Sequence, residues 1–158
     1  MMTEQDLWPV MAKSLENALE ATRQLKDVIS REHEALENRQ YSDFADISAT
    51  KLTLITTIEQ QSAQRSEWFR ETGFADEQSA LLAAQRRAPM VASQWQQLVT
   101  LWQECQHQNA VNERIAQRTK LVVGQLLDLL RGQNHRERLY DAKGNATPSS
   151  GGRPITSA

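Results

Sequence analysis

Apolar residues recur along three long stretches of the chain at alternating steps of four and three residues. The first stripe, in which Thr22 and Glu32 are polar, consists of Met11, Leu15, Ala18, Thr22, Leu25, Ile29, Glu32 and Leu36. This spacing keeps the side chains on one face of an α-helix and is typical of a coiled-coil seam. It predicts a first helix over about residues 6–40, with Asp6 as the N-cap and Pro9 in the first turn.

Two further stripes predict the remaining helices. The second is weaker and predicts a helix over about residues 42–72, which Gly73 ends; its members are Phe44, Ile47, Lys51, Leu54 and Ile58. A short helical segment is expected over residues 76–88. The third stripe is the most regular and predicts a helix over residues 90–131, ended by Gly132; it consists of Val91, Trp95, Leu98, Trp102, Cys105, Asn109, Asn112, Ala116, Thr119, Val123, Leu126 and Leu130.

The distribution of glycine and proline supports a long-helix protein. The 158 residues include six Gly and four Pro, and six of these ten lie at or after Gly132. Compact β and α/β folds need such turn signals at short intervals, whereas none lies between Val10 and Thr72 or between Met90 and Val123. The expected fold class is all-α, with long antiparallel helices forming an elongated, coiled-coil-like hairpin or bundle over residues 1–131. Residues 132–158 are expected to form a flexible, disordered C-terminal tail.

Composition excludes several classes of protein. The formal net charge is −2, which argues against a nucleic-acid partner, although residues 131–158 carry five bases and only two acids. No apolar run is long enough to cross a membrane, and the acidic beginning of the sequence does not resemble a signal peptide. The single cysteine excludes a disulfide framework. A cytoplasmic protein without stable membrane insertion is therefore expected.

Little in the sequence indicates catalysis. Glu104 and His107 have the Glu-x-x-His spacing of di-iron bundles, but such a site needs a second copy and two more glutamates. The sequence contains neither a phosphate-binding loop nor a serine nucleophile elbow. We therefore expect no enzyme, no metal site and no cofactor, and keep a di-iron bundle only as a third alternative.

Three features stand out from the helical pattern. Asn109 and Asn112 occupy consecutive seam positions, where they either fix the helix register from within the core or meet water in a splayed bundle. The segment from Leu121 to Leu130 is more apolar than a two-position seam requires, which indicates a partner-binding helix or a dimerisation surface. Leu139 and Tyr140 form an apolar pair within the tail and read as a docking motif.

Four motifs together resemble the FlgN family of bacterial flagellar export chaperones. A Leu/Glu helix covers residues 25–39, and Asp43 precedes Lys51-Leu52-Thr53-Leu54-Ile55, which is similar to the family's Asp…Lys-x-x-Leu-Leu pattern. The third motif is Asn109-x-x-Asn112, after which Glu113 replaces the family's usual glycine and Ile115 keeps the aliphatic residue. The fourth is Leu-Tyr-Asp-Ala-Lys-Gly at residues 139–144, ahead of a basic end rich in small residues.

The resemblance implies a function and its sites. Chaperones of this family bind C-terminal helical segments of hook-associated proteins of the FlgK and FlgL type, prevent their premature assembly and deliver them to the export gate. The resemblance assigns gate docking to Leu139 and Tyr140. It assigns cargo binding to the C-terminal helix, here Asn112, Ile115, Thr119, Val122, Val123, Leu126, Leu127 and Leu130. The alternative function is a structural coiled-coil scaffold, and a homodimer stays open.

Overall fold

The computed structural model describes the backbone of residues 2–150 and the side chains of residues 2–133. It contains four helices: α1 (Glu4–Glu37), α2 (Phe44–Glu71), α3 (Glu77–Arg87) and α4 (Pro89–Ser150). No strand occurs within this described backbone, and the predicted all-α class is confirmed. The chain divides into two units, Met1–Ile115 and Ala116–Ala158.

The first helix begins at Glu4, close to the predicted start near residue 6, but its N-cap differs from the predicted one. Its N-cap is Thr3, whose side-chain hydroxyl lies 3.4 Å from the Asp6 backbone nitrogen, while the Asp6 carboxylate accepts a bond from the Thr3 backbone N–H at 3.2 Å. This reciprocal pair is a capping box. The hydrogen bonds from Thr3 lower the pKa of Asp6. The prediction of Asp6 as N-cap is therefore wrong, because Asp6 acts as the acid that completes the box.

The directions of the helices in the first unit follow from their cross-helix contacts. Near the two ends of the α1–α2 pair, Ser14 contacts Arg65 at 3.3 Å and Glu32 contacts Lys51 at 2.6 Å, so the two helices are antiparallel. Lys26 of α1 pairs with Glu104 of α4 at 2.6 Å, and Glu4 pairs with Arg87 just before α4. The first part of α4 consequently runs parallel to α1 and antiparallel to α2.

The seam residues form the core of this unit. The largest cluster contains Phe69 stacked on Trp95 with ring centroids 5.1 Å apart, and its other members are Leu7, Met11, Leu15, Ala18, Leu19, Ala80, Val91 and Leu98. A second cluster, farther along α1, comprises Leu25, Ile29, Ile58 and Cys105. Within the first unit, α1, α2 and the beginning of α4 therefore bury the first stripe and much of the other two, and α3 contributes Ala80.

Cys105 provides a test of this packing. Its side chain is buried, its thiol lies 3.7 Å from the Thr22 carbonyl oxygen, and burial raises the pKa of the thiol. We expect a thiolate-selective alkylating reagent to modify the native protein much more slowly than the urea-unfolded chain at the same pH. Mass spectrometry would follow the modification. Equal rates in the two states would contradict the burial of Cys105.

The fourth helix continues past its predicted end. The sequence predicted that it stops at Arg131, whereas the helical backbone runs through Gly132 to Ser150. An interior glycine costs a helix only about 1 kcal/mol relative to alanine and removes no backbone hydrogen bond, so it need not end the helix. The flexible character of residues 132–158 stays a prediction, since side chains beyond Gln133 lie outside the described residues.

Candidate partner-binding surface

Seven large aliphatic side chains lie exposed in a ten-residue segment of α4, residues 121–130. Their exposed fractions range from 47 % to 65 %, and we call this set the aliphatic surface: Leu121, Val122, Val123, Leu126, Leu127, Leu129 and Leu130. Single exposed leucines are common on proteins, but a contiguous group of this kind marks an interaction site.

Six of the seven residues share one side of the helix. At 3.6 residues per turn, Val122, Val123, Leu126, Leu127, Leu129 and Leu130 fall within an arc of roughly 160°. Leu121 lies outside this arc. An amphipathic helix normally buries an apolar arc of this width against another element. In the second unit the arc stays exposed, because no described residue covers it.

The aliphatic surface continues the third stripe in sequence register. Val123, Leu126 and Leu130 follow Cys105 and Asn112 with the same alternation of four and three residues. Cys105 and Asn112 are buried, whereas the later members are exposed. The same pattern of residues thus serves the core of the first unit and leaves an apolar face available in the second.

Three other residues of the predicted cargo-binding set are less exposed than the aliphatic surface. Ile115 and Thr119 are half-buried. Asn112 is completely buried in the first unit. Its side chain is therefore covered by the first unit itself, and its assignment to cargo binding stays a prediction.

Asn112 instead belongs to a buried polar cluster. Its side-chain N–H groups donate to the Ile29 carbonyl oxygen at 2.9 Å and to Glu32 Oε1 at 3.0 Å. Its carbonyl oxygen accepts bonds from His33 Nδ1 at 2.9 Å and from Gln108 Nε2 at 3.3 Å. With four bonds the Asn112 amide is satisfied, which is the condition for placing it in a core.

Glu32 and Lys51 connect this cluster to α2. Lys51 Nζ lies 2.6 Å from Glu32 Oε2, and the two side chains are 18 % and 3 % exposed. Lys51 also donates to Asn109 Oδ1 at 2.9 Å, and Asn109 donates to the Glu113 carboxylate at 3.1 Å. The cluster of Glu32, His33, Lys51, Asn109 and Asn112, which we call the polar layer, therefore joins α1, α2 and α4.

The polar layer decides between the two interpretations of the seam asparagines. Asn112 lies in the core and bonds to α1, as expected of a residue that fixes register. Asn109 is half-buried at the edge of the layer. Glu113, which directly follows Asn112, is exposed and serves as the acceptor for Asn109.

The two residues that suggested a metal site both lie on the surface of α4. Glu104 is exposed and pairs with Lys26, and His107 is exposed as well. Within residues 2–133 no three metal-ligating side chains come together. Nor does any helix in the described part of the chain have the length and apolarity needed to span a membrane.

A groove of about 330 Å³ between α2 and α4 is a second candidate for ligand binding. Its lining includes Trp95 and Trp102 together with Arg65, which is 6 % exposed and whose pKa burial lowers. Glu59 and Glu77 also line it, so the groove carries charges of both signs. It offers neither the uniform apolar face nor the single charge that would favour one class of ligand.

Sequence reasoning identified the aliphatic surface but not the polar layer. Glu32 interrupted the first stripe and Lys51 interrupted the second, and both lie at seam positions together with Asn109 and Asn112. Opposite charges at interior seam positions of two antiparallel helices are the signal that indicates such a layer. The side chains of Leu139 and Tyr140 lie outside the described residues, so their docking role stays a prediction.

Comparison with known proteins adds one finding. A family model described as FlgN protein matches residues 8–148, which is most of the chain. No curated protein and no solved structure matches the chain significantly.

Proposed function

The chain belongs to the FlgN family of flagellar export chaperones, and we propose that it binds the C-terminal segments of hook-associated proteins of the FlgK and FlgL type. In this proposal it keeps those segments from assembling early and delivers them to the export gate from the cytoplasm. Family membership supports the general chaperone role and implies flagellar substrate proteins as partners. The cargo and the delivery step are the parts that we propose.

The observation that carries the proposal is the aliphatic surface. A chaperone for helical segments must offer an apolar face that a cargo helix can cover and later leave. Such a face exposes its leucines and valines when empty, as residues 121–130 do. The polar layer also supports the proposal. It satisfies the hydrogen-bonding groups of Asn112 and Glu32 inside the first unit and does not involve residues 121–130.

Direct binding tests this function. We expect the full chain to form a stoichiometric complex with the C-terminal segments of the FlgK- and FlgL-type proteins of the same bacterium, visible as co-elution in size-exclusion chromatography. The complex should also suppress self-association of those segments in light scattering. A chain that forms only its own concentration-independent oligomers and binds neither segment would favour the coiled-coil scaffold instead.

The tail residue Tyr140 is assigned a separate role. We expect Tyr140→Ala to retain full affinity for the cargo segments, because the aliphatic surface is unchanged, and to reduce secretion of hook-associated proteins by the cell. Calorimetry would give the affinity, and immunoblots of culture medium would give the secretion. Tyr140→Phe serves as the matched control for loss of the ring. Loss of cargo affinity in Tyr140→Ala would contradict the division between cargo binding and gate docking.

A further inference from the structure

The charged residues beside the aliphatic surface have an uneven distribution around α4. Residues 116–133 contain Arg118, Lys120, Asp128 and Arg131, and all four side chains are exposed. None of them forms an ion pair with another described residue. Within residues 2–133 these four charges therefore have no ionic partner.

The three bases border the apolar arc. At 100° per residue, Arg118 lies about 20° beyond Leu129 at one edge, and Lys120 lies about 20° beyond Leu127 at the other edge. Arg131 lies on the same side as Lys120, about three turns farther along the helix. Asp128 points away from the centre of the arc, on the opposite side of the helix. Counting residues 116–133, a helix that covers the aliphatic surface would therefore meet positive charge at both of its flanks and no negative charge.

We propose that the partner of the aliphatic surface is an amphipathic helix whose apolar stripe is flanked by acidic side chains. In helix pairs, the residues that flank the apolar seam pair across the interface and determine which partners are accepted. Glutamates at those flanking positions would reach the three bases, whereas lysines would be repelled. The inference rests on the proposed function and adds to it the charge pattern by which cargo is selected.

A second copy of this chain fits the surface less well. In a symmetric antiparallel pair, a residue at one end of the surface faces the residue at the other end. Lys120 of one copy would then approach Arg131 of the other, and Arg118 would face an edge without carboxylates. Like charges at such positions disfavour pairing, so the surface is better suited to a partner of opposite charge.

An anionic lipid surface also fits less well. Helices that lie on membranes carry Trp or Phe on the apolar face and many Lys or Arg residues on the polar face. Here the apolar arc is purely aliphatic, and the middle of the opposite side is occupied by Asp128 with Gln117 and Gly124 nearby. The three bases lie only at the edges of the apolar arc. This placement suits acidic side chains that flank the seam of a partner helix better than a layer of lipid head groups.

Two designed peptides test the proposal with the full chain. They share the same leucine and valine heptad positions and the same length, and they differ only at the positions that flank the seam, which are all Glu in one and all Lys in the other. Fluorescence anisotropy at low salt is expected to show the Glu peptide binding roughly ten-fold more tightly. The difference should shrink at high salt because exposed charges are screened.

A charge-reversal variant supplies the control. Arg118→Glu, Lys120→Glu and Arg131→Glu together are expected to invert the preference in favour of the Lys peptide. The matched variant Lys13→Glu, Arg31→Glu and Arg86→Glu makes the same change in net charge on exposed positions of the first unit and should leave the preference for the Glu peptide intact. Inversion by both variants would mean that net charge alone decides, and the proposal would be wrong.

The remaining outcomes separate this inference from the proposed function. Equal binding of the two peptides, tighter binding of the Lys peptide, or no binding of either overturns the inference. The function itself stands if the hook-associated segments still bind in those cases. Sedimentation with vesicles of phosphatidylglycerol, together with no preference between the peptides, would identify a lipid surface instead, and self-association that excludes the Glu peptide would identify a second copy.

Discussion

Aspartate in place of both Leu126 and Leu127 is expected to abolish binding of the hook-associated segments and to leave the helix content unchanged. These leucines are 54 % and 47 % exposed, so the folded chain loses little packing when they are replaced. In the complex both positions would be covered. Each replacement then removes about 1 to 2 kcal/mol of apolar burial and leaves a carboxylate to be buried without a partner. The sum corresponds to at least a hundred-fold loss of affinity.

The matched control for this variant is Gln117→Asp. Gln117 is exposed in the same helix and lies on the side opposite the apolar arc. The substitution Gln117→Asp therefore introduces an aspartate at a position that a partner would not cover. Calorimetry with the purified segments should show near-native affinity for this control, and circular dichroism should show equal helicity in all three proteins. If the double variant binds as tightly as the native chain, the aliphatic surface is not the cargo site.

Glu32→Leu is expected to reduce the free energy of unfolding by about 3 to 5 kcal/mol. The substitution leaves Lys51 without its carboxylate in a largely buried position and removes an acceptor from Asn112. Removing one member of a buried ion pair costs this much because the remaining charge stays desolvated. Urea denaturation followed by circular dichroism would measure the change.

Two controls identify the origin of that loss. Glu16→Leu removes an ion pair with Lys13 whose side chains are 64 % and 70 % exposed, and its effect should stay within about 0.5 kcal/mol. The double variant Glu32→Leu with Lys51→Met removes both charges, so it should be more stable than Glu32→Leu alone. Should the double variant prove the less stable of the two, the buried charge of Lys51 would not be the cause.

Much of the fold could be predicted from the spacing of apolar residues. The four-three stripes located the three long helices and their core members Leu15, Ile29 and Trp95, whereas the short α3 was expected without a stripe of its own. The ends were less predictable, because helix termini depend on local hydrogen bonds. Thr3 and Asp6 form a reciprocal cap that moves the start of α1, and Gly132 does not stop α4.

The candidate site could be predicted only in part, for a physical reason. A buried seam and an exposed binding face have the same spacing, so the pattern that contains Asn112 and Leu126 does not tell which of them is covered. Only the arrangement of neighbouring helices separates a fully buried Asn112 from a half-exposed Leu126. Likewise, the pairing of Glu32 with Lys51 depends on the antiparallel alignment of α1 and α2, which the separate stripes do not specify.

The polar layer also limits how the first unit can vary. Sliding α4 by one heptad along α1 would shift it by about 10 Å and take Asn112 away from Glu32 and the Ile29 carbonyl, leaving several desolvated groups unpaired. A single alignment is thereby favoured over its neighbours. Residues 121–130 take no part in that alignment. Evolution could therefore change the leucines, valines and bordering bases to suit a different cargo without disturbing the way the first unit folds.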